Sequence, residues 1–327
     1  MFSVVIPLYN KAQTIRGTLN SLMQQEFGDF EIIVVNDGSD DNSLEVVEDI
    51  KVNKEIRIVS QENRGVSAAR NYGIALARFK YIALLDADDE WEPGFLLKIK
   101  TAIEKFPDAG FYGAASWHRN ITTGEQSCNI KPQYKDRISK VEYLSDPHNM
   151  PHTSAMVLSR KYFLQIDSNG EGFPVGMKVC EDWACFYRLA FIADFVFVGF
   201  PLGIRNTNVE GQITGLSPEQ RFDLMKHVVD FYNITFDSWK RSIFKKKLYP
   251  GFLKYDLRAR VFSSLKVNDY RTINFLLAGL SGDILSRFSR LEIIILNSVR
   301  LKILAVLHIS LTKIIWKLGR IFNSKNG

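Results

Sequence analysis

Cysteine is scarce in this 327-residue chain: the three present, Cys128, Cys180 and Cys185, make neither an even disulfide framework nor a CxxC metal pair. That excludes a disulfide-stapled scaffold and points to a reducing compartment. The opening MFSVVIPLYN lacks a basic n-region, a long apolar run and a cleavage site, so it reads as a strand and not as a secretory signal, and a cytoplasmic location is expected. No stretch of about 18 uncharged apolar residues occurs, which argues against a membrane-spanning helix. Repeats of about 20 to 50 residues and low-complexity tracts are missing as well. The first strand-to-helix turn has no GxGxxG, which argues against a dinucleotide oxidoreductase. PLYNKAQT also lacks the glycine- and lysine-rich phosphate loop that would support a nucleotidyltransferase.

What remains is an ordinary globular composition, 46% hydrophobic and 24% charged, with an uneven distribution of charge. The net charge of +6 conceals 24 Lys and Arg against 32 Asp and Glu in residues 1–238, net −8, and 18 against 4 in residues 239–327, net +14. The two segments therefore face different partners.

From Ser3 to about Phe106, short apolar runs (SVVIP, EIIVVN, IRIVS, YIALLD) alternate with stretches of helical spacing (KAQTIRGTLNSLMQQ, DDNSLEVVEDI, GVSAARNYGIALARF). This alternation predicts an α/β fold with a doubly wound, mostly parallel sheet, helices on both faces, and ligands beyond the carboxyl ends of the strands. Residues 107–215 are less regular; a helix starting near Glu181 and a strand at FVFVGF are the clearest elements. After Ser217-Pro218-Glu219 long helical patterns rich in Lys and Arg take over.

The polar clusters fall at the predicted strand ends. Pro7 is expected to stop the first ladder and free the backbone that follows, leaving Tyr9 either as a ring face for a flat heterocycle or as a core tyrosine. In NDGSDDN, Gly38 permits a tight turn and Ser39, Asp40 or Asp41 can cap the next helix, so Asp37 is left to accept a hydrogen bond from a base or ribose. Arg64 and Arg70, at the start of the third crossover helix, suit a diphosphate or a solvated helix face. YIALLDADDEWEP then runs an apolar strand into Asp86, Asp88 and Asp89. If the strand end is extended, Asp86 and Asp88 share one side and suit Mg²⁺ or Mn²⁺, which bind through one or two carboxylates plus substrate phosphates. The alternative is a solvated Asp-rich turn.

The series VVIPLYN, VVNDGSDD, ENRGVSAARN and LLDADDEW, in this order and spacing, resembles the nucleotide-sugar half of the family-2 glycosyltransferases with the GT-A fold, over about residues 1–215. The resemblance implies a catalytic domain over 1–217, with a nucleotide-sugar half (1–106) and an acceptor half (107–217); the change of composition after Ser217 marks off a basic helical extension over 218–327. It implies that Asp37 binds the base of a UDP-type donor with Pro7 and Tyr9 beside it, that Asp86 contacts ribose or metal, and that Asp88 is the main ligand of a divalent metal bridging the diphosphate. Arg64, Arg70 and Arg205 are then expected on the donor. The family's Glu-Asp pair is matched by Glu181-Asp182, with Asp182 the general base and Glu181 on the acceptor side. One base, one metal and no second nucleophile imply single displacement with inversion. Acids opening a helix also favour its dipole without doing chemistry. The sequence departs from the Arg-x-His pattern of related enzymes, because Thr207 stands where the histidine is expected. His152, in MPHTSAM, falls in the acceptor region, either as an acceptor contact or as a structural histidine.

Between Leu285 and Phe322, Ile- and Leu-rich sequence is punctuated by Arg287, Arg290, Arg300, Lys302, Lys313, Lys317 and Arg320. The last three fall at helical i, i+4, i+7 spacing, as in a basic amphipathic helix lying in an anionic membrane surface. Packing on the catalytic domain is the other use of such a helix. Nucleic acid is not an expected partner, since no recognised binding module accompanies the charge. The expectation is thus a transferase acting on a glycan or lipid-linked glycan acceptor, peripheral on the inner face of the cell membrane. A non-catalytic membrane-surface protein is the other class weighed, against which the full set Asp37, Asp86, Asp88 and Asp182 argues.

Overall fold

The computed structural model describes residues 1–288 except 51–55, 129, 146–149, 168, 210–217, 243–247 and 267–268. The chain divides into two compact units, Met1–Gly215 and Leu216–Gly327.

The first unit is built on one mixed sheet. Its first half runs β1 (Phe2–Leu8), α1 (Ile15–Met23), β2 (Phe30–Asn36), α2 (Ser43–Glu48), β3 (Ile56–Ser60), α3 (Val66–Leu76), β4 (Tyr81–Leu84), β5 (Glu90–Trp91) and α4 (Phe95–Lys105). Its second half comprises β6 (Phe111–Asn120), β7 (Gln126–Ser127), β8 (Ile138–Val141), β9 (Met156–Ser159), α5 (Arg160–Ile166), α6 (Glu181–Ala190) and β10 (Phe195–Thr207). The sheet order is β3-β2-β1-β4-β9-β6-β10-β5. Strands β3, β2, β1 and β4 are parallel, as are β6 and β10, while β9 lies antiparallel between β4 and β6. This is the doubly wound, mostly parallel arrangement that the strand and helix alternation predicts.

Side-chain alternation along β1 sets the two layers. Phe2, Val4, Ile6 and Leu8 join Ile15, Leu19 and Leu22 of α1 and Phe95, Leu96 and Ile99 of α4 in one buried cluster. Val5 points to the other face, where α3 packs so closely that a Cβ on Gly73 would lie 2.4 Å from its Cγ1. Only glycine allows that approach.

Pro7 interrupts one ladder and not the other. The Val5 carbonyl accepts from Leu85 N–H on the β4 side, and Pro7, of the same parity, faces that side with no donor. Pairing with β2 continues through Pro7↔Val35 to Leu8↔Asn36. The fourth strand is also shorter than expected: it ends at Leu84, and the chain turns, with Asp89 N–H donating to Asp86 O at 3.1 Å. Asp86 and Asp88 therefore do not share one side of an extended strand end. Strand β10, by contrast, runs on past FVFVGF to Thr207, with register irregularities around Pro201 that absorb the proline and restore pairing with β6.

The described part of the second unit is helical: α7 (Pro218–Asp223), α8 (Met225–Arg241), α9 (Leu248–Lys266), α10 (Tyr270–Gly279) and α11 (Gly282–Leu285). Inside it the Tyr232 hydroxyl donates to Asp256, which also accepts from Arg260 Nε at 3.0 Å. Arg287 lies over the Trp239 ring, 5.3 Å from its centroid. Of the basic tail expected between residues 285 and 322, everything after Phe288 lies outside the described residues. Among the described residues no helix is long and apolar enough to cross a membrane.

Candidate active site

The carboxyl ends of β1, β2 and β4 meet the start of α6 in one polar region. Asp37 follows β2 and is buried; its carboxylate accepts from Gln61 Nε2 at 2.6 Å, Arg64 N–H at 2.9 Å and Gly65 N–H at 2.8 Å. It thereby braces the loop that leads into α3. Gly38 beside it has φ +72°, and a Cβ there would meet Asn63 N at 2.9 Å, so the tight approach of the two loops needs glycine. Tyr9 is exposed, available as a ring face and absent from the core, and the Arg64 side chain is exposed.

In the turn after β4 each carboxylate has its own partners. Asp86 Oδ1 accepts from Arg70 Nη2 at 2.8 Å, and Asp88 Oδ2 from Lys11 Nζ at 2.9 Å. Burial works to raise the Asp86 pKa, but Arg70, with help from Lys11, holds it below the usual carboxylate range. Asp89 is buried and accepts from Ser154 Oγ at 2.6 Å and Asn206 N–H at 2.9 Å. Burial, with Asp86 and Asp88 close by, pushes its pKa up to about 8.

Arg70 is buried on α3 and bridges two elements: besides Asp86 it donates from Nη1 to Glu181 Oε1 at 3.1 Å. Burial disfavours its charge, yet Asp86, Glu181 and Asp182 together keep it firmly protonated. Burial and the neighbouring Asp182 push Glu181 up to about 7 against the pull of Arg70. Asp182 opens α6 with Oδ2 accepting from Thr153 Oγ1 at 2.9 Å and Oδ1 from its neighbour Trp183 N–H at 2.7 Å. A carboxylate has about four acceptor sites, so both oxygens retain capacity for a proton or a donor.

Thr153 belongs to a short 3-10 turn, Thr153–Ala155, that enters β9. Its neighbour Ser154 ties the aspartate turn together: Oγ accepts from Asp86 N–H at 3.1 Å and donates to Asp89, while its carbonyl accepts from Trp91 Nε1 at 2.5 Å. His152 precedes this turn. Its ring is largely buried with neither nitrogen hydrogen-bonded, and burial together with Arg205 pushes its pKa down to about 3, so it is neutral. Arg205 stands beside His118 in the β6/β10 register and, among the described residues, makes no ion pair with a carboxylate.

Sequence reasoning singled out Asp37, Asp86, Asp88, Glu181 and Asp182, gave Asp89 no role of its own, and overlooked Lys11, Thr153 and Ser154. Lys11 was detectable as the first cation after the β1 end. Nothing local marked Thr153 and Ser154, whose partners lie 29 and 65 residues away.

The region is built from oxygen donors, the right chemistry for Mg²⁺ or Mn²⁺. Among the described residues no group of three His, Cys, Asp or Glu could hold a metal ion by itself. The residues fit only a metal that arrives with its phosphates and takes one or two carboxylates from the protein.

Residues 3–163 match the profile of Glycosyl transferase family 2. An uncharacterized glycosyltransferase of Escherichia coli (strain K12), YibD, is 47% identical over 92 residues, 28% of this chain and 27% of that protein. The poly-beta-1,6-N-acetyl-D-glucosamine synthase of Staphylococcus epidermidis is 34% identical over 148 residues, 44% of this chain and 32% of that one. The matches thus span well under half the length of these curated relatives. In fold, the chain superposes on the crystal structure of S. aureus TarS residues 1–349 in complex with UDP-GlcNAc with a TM-score of 0.64 at 17% identity, covering 92% of this chain and 87% of that one. The strand-end motifs and the family profile fall on the same residues, 3–163, and place that segment in glycosyl transferase family 2, while the chain as a whole has the GT-A fold.

Proposed function

We propose that the chain is an inverting glycosyltransferase that moves a hexosyl or N-acetylhexosaminyl group from a UDP-linked donor to a hydroxyl of a glycan or lipid-linked glycan. The observation that carries this reading is the continuous link from the strand-end aspartates to the helix bearing the base: Asp86 to Arg70 to Glu181 on one side, Ser154 and Thr153 to Asp182 on the other. Transfer to a hydroxyl needs a carboxylate in fixed orientation beside the donor site. Asp182, held by Thr153 and its own helix N-terminus, meets that need, taking the proton as the hydroxyl attacks. UDP-GlcNAc in TarS and the poly-N-acetylglucosamine product of the staphylococcal relative support the donor class.

On the donor side, Asp37 and the exposed Tyr9 ring would receive the base, with Pro7 close to Tyr9 in sequence. The start of α3, Arg64 and Arg205 would receive the diphosphate. A divalent metal held through Asp88, and more weakly through Asp86, would neutralise the charge that builds on the departing diphosphate. Lys11, already on Asp88, shares that carboxylate with it. The basic C-terminal sequence supports attachment to the inner face of an anionic membrane, where a lipid-linked acceptor would be found.

The test is Asp182→Asn in the full chain. UDP binding, measured by calorimetry, stays within about twofold, whereas sugar transfer falls by a factor on the order of 10² to 10⁴. A parallel loss of UDP affinity would make Asp182 a binding or folding residue and overturn its role as base. Donor hydrolysis screened across nucleotide sugars identifies the sugar without knowledge of the acceptor.

A further inference from the structure

We infer that Arg70 is a positioning residue that couples the donor side to the base: gripped by Asp86, it anchors Glu181 and so fixes the first turn of α6, where Asp182 sits. The inference rests on the reading of this region as a sugar-transfer site.

Three features set Arg70 apart from a phosphate-binding arginine. Its side chain is 4% exposed, and the guanidinium faces protein carboxylates on two elements. A guanidinium serving one carboxylate typically makes a bidentate fork. Here Nη2 goes to Asp86, Nη1 to Glu181, and Nε has no partner. An unsatisfied buried donor is rare and calls for an explanation; reaching two carboxylates from different elements with one side chain supplies it. The surroundings hold the group in this pose. The Phe173 ring lies 5.4 Å from Cζ, and the next residue, Asn71, fastens Phe173 by a pair of hydrogen bonds, Nδ2 to its carbonyl at 2.7 Å and Oδ1 from its N–H at 3.0 Å.

The charge count makes the link two-way. Asp86 and Glu181 are both bonded to one cation and compete for it, whereas Asp182, held by Thr153 and Trp183, makes no bond to it. A donor ribose or metal that engages Asp86 weakens its claim on Arg70 and leaves the guanidinium more fully to Glu181. Filling the donor site then tightens the start of α6 before the acceptor hydroxyl arrives. By linkage the reverse holds, and removing the Glu181 charge alters donor affinity.

Two measurements test this in the full-length protein. The first needs no ligand: amide hydrogen exchange across Glu181–Ala190 in Asp86→Asn, Arg70→Gln and Arg70→Lys. Exchange in the first turns of α6 rises about fivefold or more in Asp86→Asn and Arg70→Gln, and less in Arg70→Lys, which keeps the charge. Should Arg70→Gln fail to fold, Asp86→Asn, with Arg70 in place, decides alone. Unchanged α6 exchange in Asp86→Asn overturns the proposal. The second is a calorimetric cycle of UDP binding over Asp86→Asn and Glu181→Gln. Glu181→Gln shifts UDP affinity by about fivefold in the otherwise unchanged chain and less than about twofold once Asp86 is Asn. Equal shifts in both backgrounds overturn the coupling. Absence of UDP binding in the unchanged chain defeats the sugar-donor reading, and the exchange experiment still decides the role of Arg70.

Discussion

Replacing Asp37 by Asn separates two roles for this carboxylate, a ligand for the nucleotide base and a brace for the protein itself. The side chain is 3% exposed and accepts three hydrogen bonds from Gln61, Arg64 and Gly65. Asn keeps the shape but offers one acceptor oxygen. The least damaging orientation keeps the oxygen toward Gln61 and Arg64 and sets the amide NH₂ against the Gly65 N–H. One bond to a charged acceptor is then lost, about 1.5–3 kcal/mol, and the Gly65 donor is left unsatisfied, about 1–3 kcal/mol more. Relaxation of the exposed Arg64-Gly65 loop and entry of water reduce the sum, so about 3 kcal/mol is expected for the first unit. With a urea dependence of about 3 kcal/mol per molar, the unfolding midpoint of that unit falls by about 1 M. Because the chain has two units, the transition is followed by exchange of β1 and β2 amides and not by one global signal. A midpoint within about 0.2 M of the unchanged protein, together with a tenfold or greater loss of UDP affinity, would refute the reasoning and make Asp37 a ligand residue only.

Two further outcomes follow from the same structure. Glu181 titrates at about 7 when folded and near 4.5 ordinarily, so between these values the folded chain holds a proton that the unfolded chain has lost. Its contribution to stability therefore declines as pH rises from about 4.5 through 7, and Glu181→Gln flattens that limb of the Tm-against-pH curve; equal slopes in the two proteins would show that Glu181 is not the group responsible. Ending the chain at Phe288 removes seven Lys and Arg and one Glu. Each cation near an anionic surface is worth about 1 kcal/mol, so the shortened chain is expected to stop cosedimenting with anionic vesicles and to retain UDP binding, and undiminished cosedimentation would end the membrane reading of the tail.

The donor half was legible because its strands are short and apolar, with β1, β2 and β4 buried on both faces. IRIVS is β3 residue for residue, and SVVIP and EIIVVN lie within β1 and β2. The start of α6 at Glu181 was visible in the acids that open an apolar helical pattern. What stayed hidden depends on distant partners. Strand β9 is four residues long, and nothing in MVLS says that it will lie antiparallel between β4 and β6. YIALLD looked extended to Asp86 because apolar character continues through Leu85, whereas the Asp89-to-Asp86 hydrogen bond turns the chain at once. Arg70 was assigned to a diphosphate on the strength of its helix position; its partner Glu181 lies 111 residues away, beyond any local pattern.

The late arrival of β9 also bears on how the protein is made. Strands β1 to β4 pair among themselves and are complete in sequence by Leu84, but the neighbour of β4 on the other side begins only at Met156. At about 5–20 residues per second, synthesis of the intervening segment takes several seconds. During that interval the nascent chain carries a finished parallel sheet whose outer strand, Tyr81–Leu84, is wholly buried in the mature fold and still lacks its antiparallel partner. An open apolar edge of this kind invites pairing with other chains. The interval between synthesis of β4 and of β9 is therefore one in which this edge is expected to be open to aggregation, and faster passage through that stretch should raise the yield of soluble product.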